Sequence, residues 1–88
     1  MSEQPTGLVF PCEYPIKIFV REAAGFLPTA REIVERHTGT LSDECVALRS
    51  SRNAKFTAVT FTVTAASRAQ LDEIYRELTA REEVLMAL

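Results

Sequence analysis

The sequence predicts an α+β domain with the element order βαββαβ, a four-stranded antiparallel sheet carrying two helices on one face. Three patterns lead there. Ile16, Ile18 and Val20 alternate with Lys17, Phe19 and Arg21, the two-residue period of a strand with one dry face. Val59, Phe61, Val63 and Ala65 repeat that alternation against Thr60, Thr62 and Thr64. After each of these strands the apolar spacing lengthens to helical rhythm, first in Phe26, Leu27, Ala30, Ile33 and Val34 and then in Leu71, Ile74, Tyr75 and Leu78.

Met1 to Pro15 holds three of the four prolines and no sustained period, so residues 1–13 are expected to form an extended N-terminal segment, with Leu8, Val9 and Phe10 docking on the domain. A single domain then occupies residues 14–88, its first strand opening near Tyr14. Helix one lies between Glu22 and Gly39. Its start is open between Ala23 and Pro28, because proline suits a first turn but bends a helix already under way. His37 and Gly39 mark its end, a cation-capable side chain followed by a residue that tolerates positive φ. A polar loop around Ser42 to Glu44 leads to a short strand, Cys45 to Arg49. Ser50 to Ala54 then turns the chain, with Asn53 accepting a left-handed backbone, so that strands two and three form a hairpin.

Ser67 stands three residues before Gln70, the spacing at which a hydroxyl and an amide satisfy each other's orphan backbone donors at a helix start. Val84 to Leu88 is apolar and is expected to be pinned in the sheet as strand four. With right-handed crossovers this succession is a ferredoxin-like sandwich. The aliphatic residues face the helices and the opposite sheet face stays bare. Function beyond folding is therefore expected at that open face, at a sheet edge, or in the loops at one end of the sheet.

Composition narrows the classes. With 88 residues, 47% of them hydrophobic, the chain suffices for one domain that buries roughly 60 to 65% of its unfolded surface. Such a thin core makes a homodimer, with a second copy on an exposed sheet face, a natural expectation. Ten basic residues are scattered among twelve acidic ones for a net charge of -2, which argues against a nucleic-acid or anionic-membrane binder. No run of eighteen apolar residues and no basic-then-apolar leader occurs, so the expected location is the cytoplasm. Cys12 and Cys45 lack metal-knuckle or redox spacing and read as small reduced hydrophobes. His37, the only histidine, has no neighbouring ligands or nucleophile, and reads as a helix-end residue. No metal, cofactor or catalytic residue is expected.

Two constellations remain as candidates. Phe19 with Thr60, Thr62 and Thr64 forms a platform on the open face, an aromatic ring amid hydroxyls and cations that suits a partner contact as well as a solvated sheet. Ser50, Ser51, Arg52, Asn53 and Lys55 combine hydroxyls and two cations at the hairpin tip, a combination able to hold a carboxylate or phosphate. The charged helix faces, Arg31, Glu32, Glu35 and Arg36 and again Asp72, Glu73, Arg76 and Glu77, read as solvated surfaces with modest ion pairs. Two activities hosted by this fold are disfavoured. The Gly-rich phosphate loop of acylphosphatases is missing, and Ala58 stands where an RNA-recognition module needs a second stacking ring beside Phe19 and Phe56.

Seven stretches together resemble the YbeD-like family of small bacterial proteins. They are Phe10-Pro11, Ile16-Lys17-Ile18, Glu35-Arg36-His37, Ser50-Ser51-Arg52-Asn53, Val59-Thr60-Phe61-Thr62-Val63, Ile74-Tyr75-Arg76-Glu77-Leu78 and Val84-Leu85-Met86-Ala87-Leu88. The resemblance runs from Phe10 to the last residue. It implies a ferredoxin-like fold similar to the ACT regulatory domains, no catalytic residues, and a regulatory role tied to a small acid such as lipoate or an amino acid. In that setting the carboxylate would fall to Arg21, Arg52 or Lys55. The family often has Gly where this chain has Asn53, and another Gly just after strand one, where Val20 and Arg21 stand here. The other expectation is a protein-interaction adaptor working through the open face or an edge strand.

Overall fold

The computed structural model describes residues 9–21, 23–53 and 55–88. Leu8 and the rest of residues 1–8 lie outside the described residues, as does Ala54 of the turn. The elements are β1 (Cys12–Val20), α1 (Ala23–Thr38), a 3-10 turn (Asp43–Cys45), β2 (Val46–Ser50), β3 (Thr57–Ala65), α2 (Arg68–Thr79) and β4 (Val84–Ala87). The strands form one antiparallel sheet in the order β2-β3-β1-β4. This is the predicted ferredoxin-like arrangement.

Alternation in the two central strands builds the core. Ile16, Ile18 and Val20 pair with Phe61, Val59 and Thr57, so their side chains emerge on the same face. Ile16, Ile18, Val20, Val59, Phe61, Val63 and Ala65 are all buried there, against Phe26, Ala30, Ile33 and Val34 of α1 and Leu71, Ile74 and Leu78 of α2. Each fully buried large aliphatic or aromatic side chain contributes about 1.5–3 kcal/mol from removal of its surface from water, so these two stripes dominate stability.

Pro15 sits within a central strand, where a proline ordinarily removes a ladder bond. The direction of the backbone groups explains it. Leu88 N–H donates to Lys17 C=O at 2.8 Å, so Lys17 turns its backbone groups toward β4, and by alternation Pro15 turns the same way. Phe19 is also on that side and pairs with Met86, but β4 ends before reaching Pro15. The missing N–H therefore costs no ladder bond.

Several boundaries move from the sequence expectation. β1 begins at Cys12, inside the stretch expected to be an extended lead, because Cys12 and Glu13 pair with Ala65 and Thr64. Phe10 packs on the core as expected, whereas Val9 is exposed. α1 starts at Ala23 and runs through Pro28, whose ring faces solvent and whose absent N–H leaves the exposed Ala24 carbonyl to water. Cys45 belongs to the 3-10 turn and β2 starts one residue later. Its thiol lies 3.4 Å from the Ser42 hydroxyl, and both cysteines are half-buried. β3 starts at Thr57, since Ser51 ties up Lys55 and Phe56.

Gly39 follows α1 with φ +88°, and its N–H donates to Glu35 C=O at 2.9 Å. His37 does more than end the helix. Its Nε2 lies 3.1 Å from Glu77 Oε2 on α2, while Gln70 Nε2 donates to His37 C=O at 2.7 Å. Gln70 N–H donates to the Ser67 hydroxyl at 3.1 Å, the first half of the predicted exchange, while the Gln70 side chain accepts at 2.8 Å from the N–H of Ala66, the residue before Ser67, and not from Ser67 itself. Arg31 is likewise no simple surface cation. It bonds Glu35 at 3.2 Å, Asp43 at 3.0 Å and the Leu41 carbonyl, while Leu41 N–H donates to Glu35 Oε2 at 2.8 Å.

Pro28→Ala should stabilise the protein by about 1 kcal/mol, a fraction of the roughly 3 kcal/mol interior penalty because the site is near the helix start, and denaturant titration would read it. Glu35 offers a pH test. The Leu41 amide, and then Arg31, hold its carboxyl below the ordinary value of 4.5. A depressed value stabilises the fold above the unfolded value and the benefit fades as pH falls through the folded one. Glu35→Gln should therefore be less stable than the parent at neutral pH, with the gap narrowing below about pH 4.5 in denaturant titrations.

Candidate binding surface

The face turned away from the helices carries Lys17 and Phe19 from β1, Ala47 and Arg49 from β2, Ala58, Thr60, Thr62 and Thr64 from β3, and Met86 from β4. Register sets the neighbours. Lys17 and Ala47 flank Thr60 from opposite sides, while Phe19 and Arg49 flank Ala58. Phe19 also faces Met86. All four residues of the predicted platform, Phe19, Thr60, Thr62 and Thr64, are thus on the open face, the first three half-buried and Thr64 exposed.

Two features shape this surface. At one end Phe19 and Phe56 meet edge to face, ring centroids 5.5 Å apart and planes at 83°, a favourable aromatic geometry that uses one ring's edge and the other's face. Met86, 54% exposed, extends the patch beyond what either ring covers. Beside it, Lys17, Ala47, Leu48, Arg49, Ala58 and Thr60 line a shallow depression of about 290 Å³. Its floor is low because alanines stand where neighbouring positions carry longer side chains. Its rim carries two cations and a hydroxyl.

The predicted ligand cations sit elsewhere. Val20 pairs with Thr57, which brings Arg21, just past β1, to the same end of the sheet as the hairpin tip with Arg52 and Lys55. Arg21 N–H donates to Glu83 C=O at 3.0 Å. At the tip, Ser51 Oγ accepts from Lys55 N–H at 2.9 Å and from Phe56 N–H at 3.2 Å. Those amides are consumed in closing the turn and are not aimed at an anion. None of the three cations lines the open-face depression.

A second concavity, a cleft of about 300 Å³, lies between α2 and β1 and is lined by Tyr14, Arg68, Leu71, Asp72, Tyr75, Ala87 and Leu88. Tyr75 donates its hydroxyl to Leu88 C=O, and burial, followed by its hydrogen bond with Tyr14, raises its phenol above the ordinary range. Arg68 at the mouth is engaged with Asp72 at 3.5 Å. This cleft is largely internally satisfied.

Sequence reasoning missed Arg49 and Ala47, and read Ala58 only as a missing stacking ring. Their signal was present in Ala47-Leu48-Arg49, an alternation that puts the small residue and the cation on one face, but a five-residue strand gives no register until its partner is known. Among the described residues, no group of three His, Cys, Asp or Glu side chains is placed to hold a metal, and no helix is long and apolar enough to cross a membrane.

The solution structure of protein HP0495 from H. pylori superposes with a TM-score of 0.71 at 16% identity, covering 100% of this chain and 98% of that one, a likeness of fold. A UPF0250 protein of Chromobacterium violaceum is 44% identical over 89 residues, covering 100% of both chains. A UPF0250 protein of Nitrosomonas europaea is 37% identical over 90% of this chain and 91% of its own length, and one of Pseudomonas aeruginosa is 37% identical over 97% and 92%. A family model described as a protein of unknown function, DUF493, matches residues 5–88, and with these full-length relatives it establishes that the chain belongs to this YbeD-like family.

Proposed function

We propose that the protein is a non-enzymatic, cytoplasmic regulatory domain that binds a small apolar acid, with lipoate and amino acids as first candidates, on the open face of its sheet. The observation that carries this reading is the low floor of Ala47 and Ala58 between Lys17 and Arg49, beside the Phe19, Phe56 and Met86 patch. A carboxylate over that floor meets charge-assisted donors from both cations and the Thr60 hydroxyl, while an attached hydrocarbon extends over the aromatic end. This moves the acid from Arg21, Arg52 and Lys55 to Lys17 and Arg49. The reading as a binder and not a catalyst is supported by His37, whose ring is engaged with Glu77 in the helix layer on the far side of the sheet.

An adaptor role is the second reading, favoured by the exposure of Met86. Aromatic and Met side chains on an otherwise polar face are the composition of a protein contact.

Calorimetric titration with lipoate and a panel of amino acids tests the first reading. Saturable binding is expected, weakened about tenfold by Lys17→Ala or Arg49→Ala, a loss of about 1.4 kcal/mol, and unchanged by Arg52→Ala or Lys55→Ala. No saturable heat at millimolar acid would remove it and leave the adaptor.

A further inference from the structure

We propose that the free edge of β2 pairs with β2 of a second copy of this chain, antiparallel about a two-fold axis through Leu48. The backbone directions show what that edge offers. Ser51 N–H donates to Phe56 C=O at 2.9 Å, so Ser51, and by alternation Arg49 and Ala47, turn their backbone groups toward β3. Val46, Leu48 and Ser50 turn theirs away from the sheet. Val46 N–H is taken by Asp43 C=O, which leaves the carbonyl of Val46 and both groups of Leu48 and Ser50 facing outward.

These groups complement their own two-fold copy. With Leu48 opposite Leu48 of the second copy, each Leu48 N–H donates to the other's carbonyl, and each Ser50 N–H meets the Val46 carbonyl across the axis. On the open face the same register sets Arg49 opposite Ala47. Centring the axis on Arg49 would keep outward donors in line, with Leu48 opposite Ser50, but would oppose two guanidinium groups. Hydrogen-bond direction allows both registers, and charge favours the one centred on Leu48.

Side-chain burial points to the same occupant. Leu48 pairs with the buried Val59 and so faces the helix layer, yet it is 54% exposed because α1 does not reach over β2. Beside it runs a groove of about 420 Å³ lined mainly by Ala23, Ala24, Leu27, Leu48 and Phe56. Pairing across the axis puts the second Leu48 against the first at the rim of this groove, covering apolar surface that the chain alone leaves wet. The remaining edges are poorer templates. Pro15 removes a donor from the uncovered flank of β1, and β4 has four residues with an irregular register.

The interface lies at the edge of the sheet and leaves its open face accessible, so it stands apart from the acid-binding reading. It does add one feature there: Arg49 of the second copy comes beside Ala47, the residue that floors the depression.

Light scattering over micromolar to millimolar concentrations, combined with amide hydrogen exchange by NMR, tests the proposal on the full chain. The expected mass is twice the 9.8 kDa of one chain, with the Leu48 and Ser50 amides exchanging at least about tenfold more slowly than in Leu48→Lys. That variant should show half the mass, while the Ala47 and Arg49 amides, bonded to β3, stay protected and report an intact sheet. Lys17→Ala should leave the mass unchanged, which separates this interface from acid binding. A monomer at every concentration, a dimer whose Leu48 and Ser50 amides exchange freely, or a Leu48→Lys protein that stays dimeric would overturn the proposal.

Discussion

The register between β1 and β3 is the constraint on which the other features depend. Nine consecutive pairs run from Cys12 with Ala65 to Val20 with Thr57. Because successive side chains point to opposite faces, a slip of one residue in either strand would send its aliphatic set into water and its polar set into the core. Turning out Ile16, Ile18 and Val20 alone would forfeit several kcal/mol of burial, at about 1.5–3 kcal/mol for each side chain, against a total stability of order 10 kcal/mol for a small domain. The two helices reinforce this choice, since Phe26, Ile33, Val34, Leu71, Ile74 and Leu78 cover only the face bearing the branched residues. The same register also builds the opposite surface, because what places Val59 and Phe61 inward places Ala58 and Thr60 between Lys17, Phe19, Ala47 and Arg49.

The legible parts of this fold were those with strong local periodicity. The alternations around Ile18 and Phe61, the stripe of α2 and the Ser67–Gln70 start each repeat a single physical demand over several residues, so the chain states them redundantly. The illegible parts were decided between distant segments. Local sequence leaves the start of α1 open between Ala23 and Pro28, and the helix takes the earlier one, because Phe26 must reach the core and the exposed Ala24 leaves its released carbonyl to water. Pro15 is accommodated within β1 because its missing N–H lies on the flank that β4, pairing Ile18, Phe19 and Val20, does not cover. Strand ends shifted for the same reason: the Ser51 hydroxyl, not the propensity of Lys55 or Phe56, sets where β3 begins.

Charged residues show a similar division. Periodicity assigns Arg31, Glu35 and Glu77 to solvated helix faces and His37 to a helix end, and nothing in their spacing says otherwise. In the folded protein Arg31 and Glu35 hold the backbone of the segment after α1, through Leu41 and Asp43, and His37 with Glu77 joins α1 to α2. Ion pairs that water still reaches contribute little singly. Their effect here is positional, because bonds to backbone groups choose the path by which the chain leaves α1 and enters β2. The acid site we propose lies on the sheet and not at the hairpin tip for a related reason. Arg52 and Lys55, close in sequence, sit on a turn whose Lys55 and Phe56 amides are taken by the Ser51 hydroxyl, whereas Lys17 and Arg49, far apart in sequence, rise from the two strands flanking β3.

The position of β2 connects folding to assembly. An edge strand of five residues, paired on one side only and left uncovered by α1, is stabilised less than the central pair, and its outward backbone groups must be satisfied by water. Natural edges that must stay single carry a proline, an inward charge or a bulge, as the uncovered flank of β1 does with Pro15. β2 carries none of these on its helix side, where Val46, Leu48 and Ser50 stand. Its one charge, Arg49, projects onto the open face and meets alanine in the two-fold register. An edge without protection, self-complementary in charge and in hydrogen-bond direction, beside an apolar groove that one chain cannot fill, has the physical character of half an interface. The small core sharpens the point, since a chain of this size gains proportionally more from each apolar side chain that a second copy removes from water.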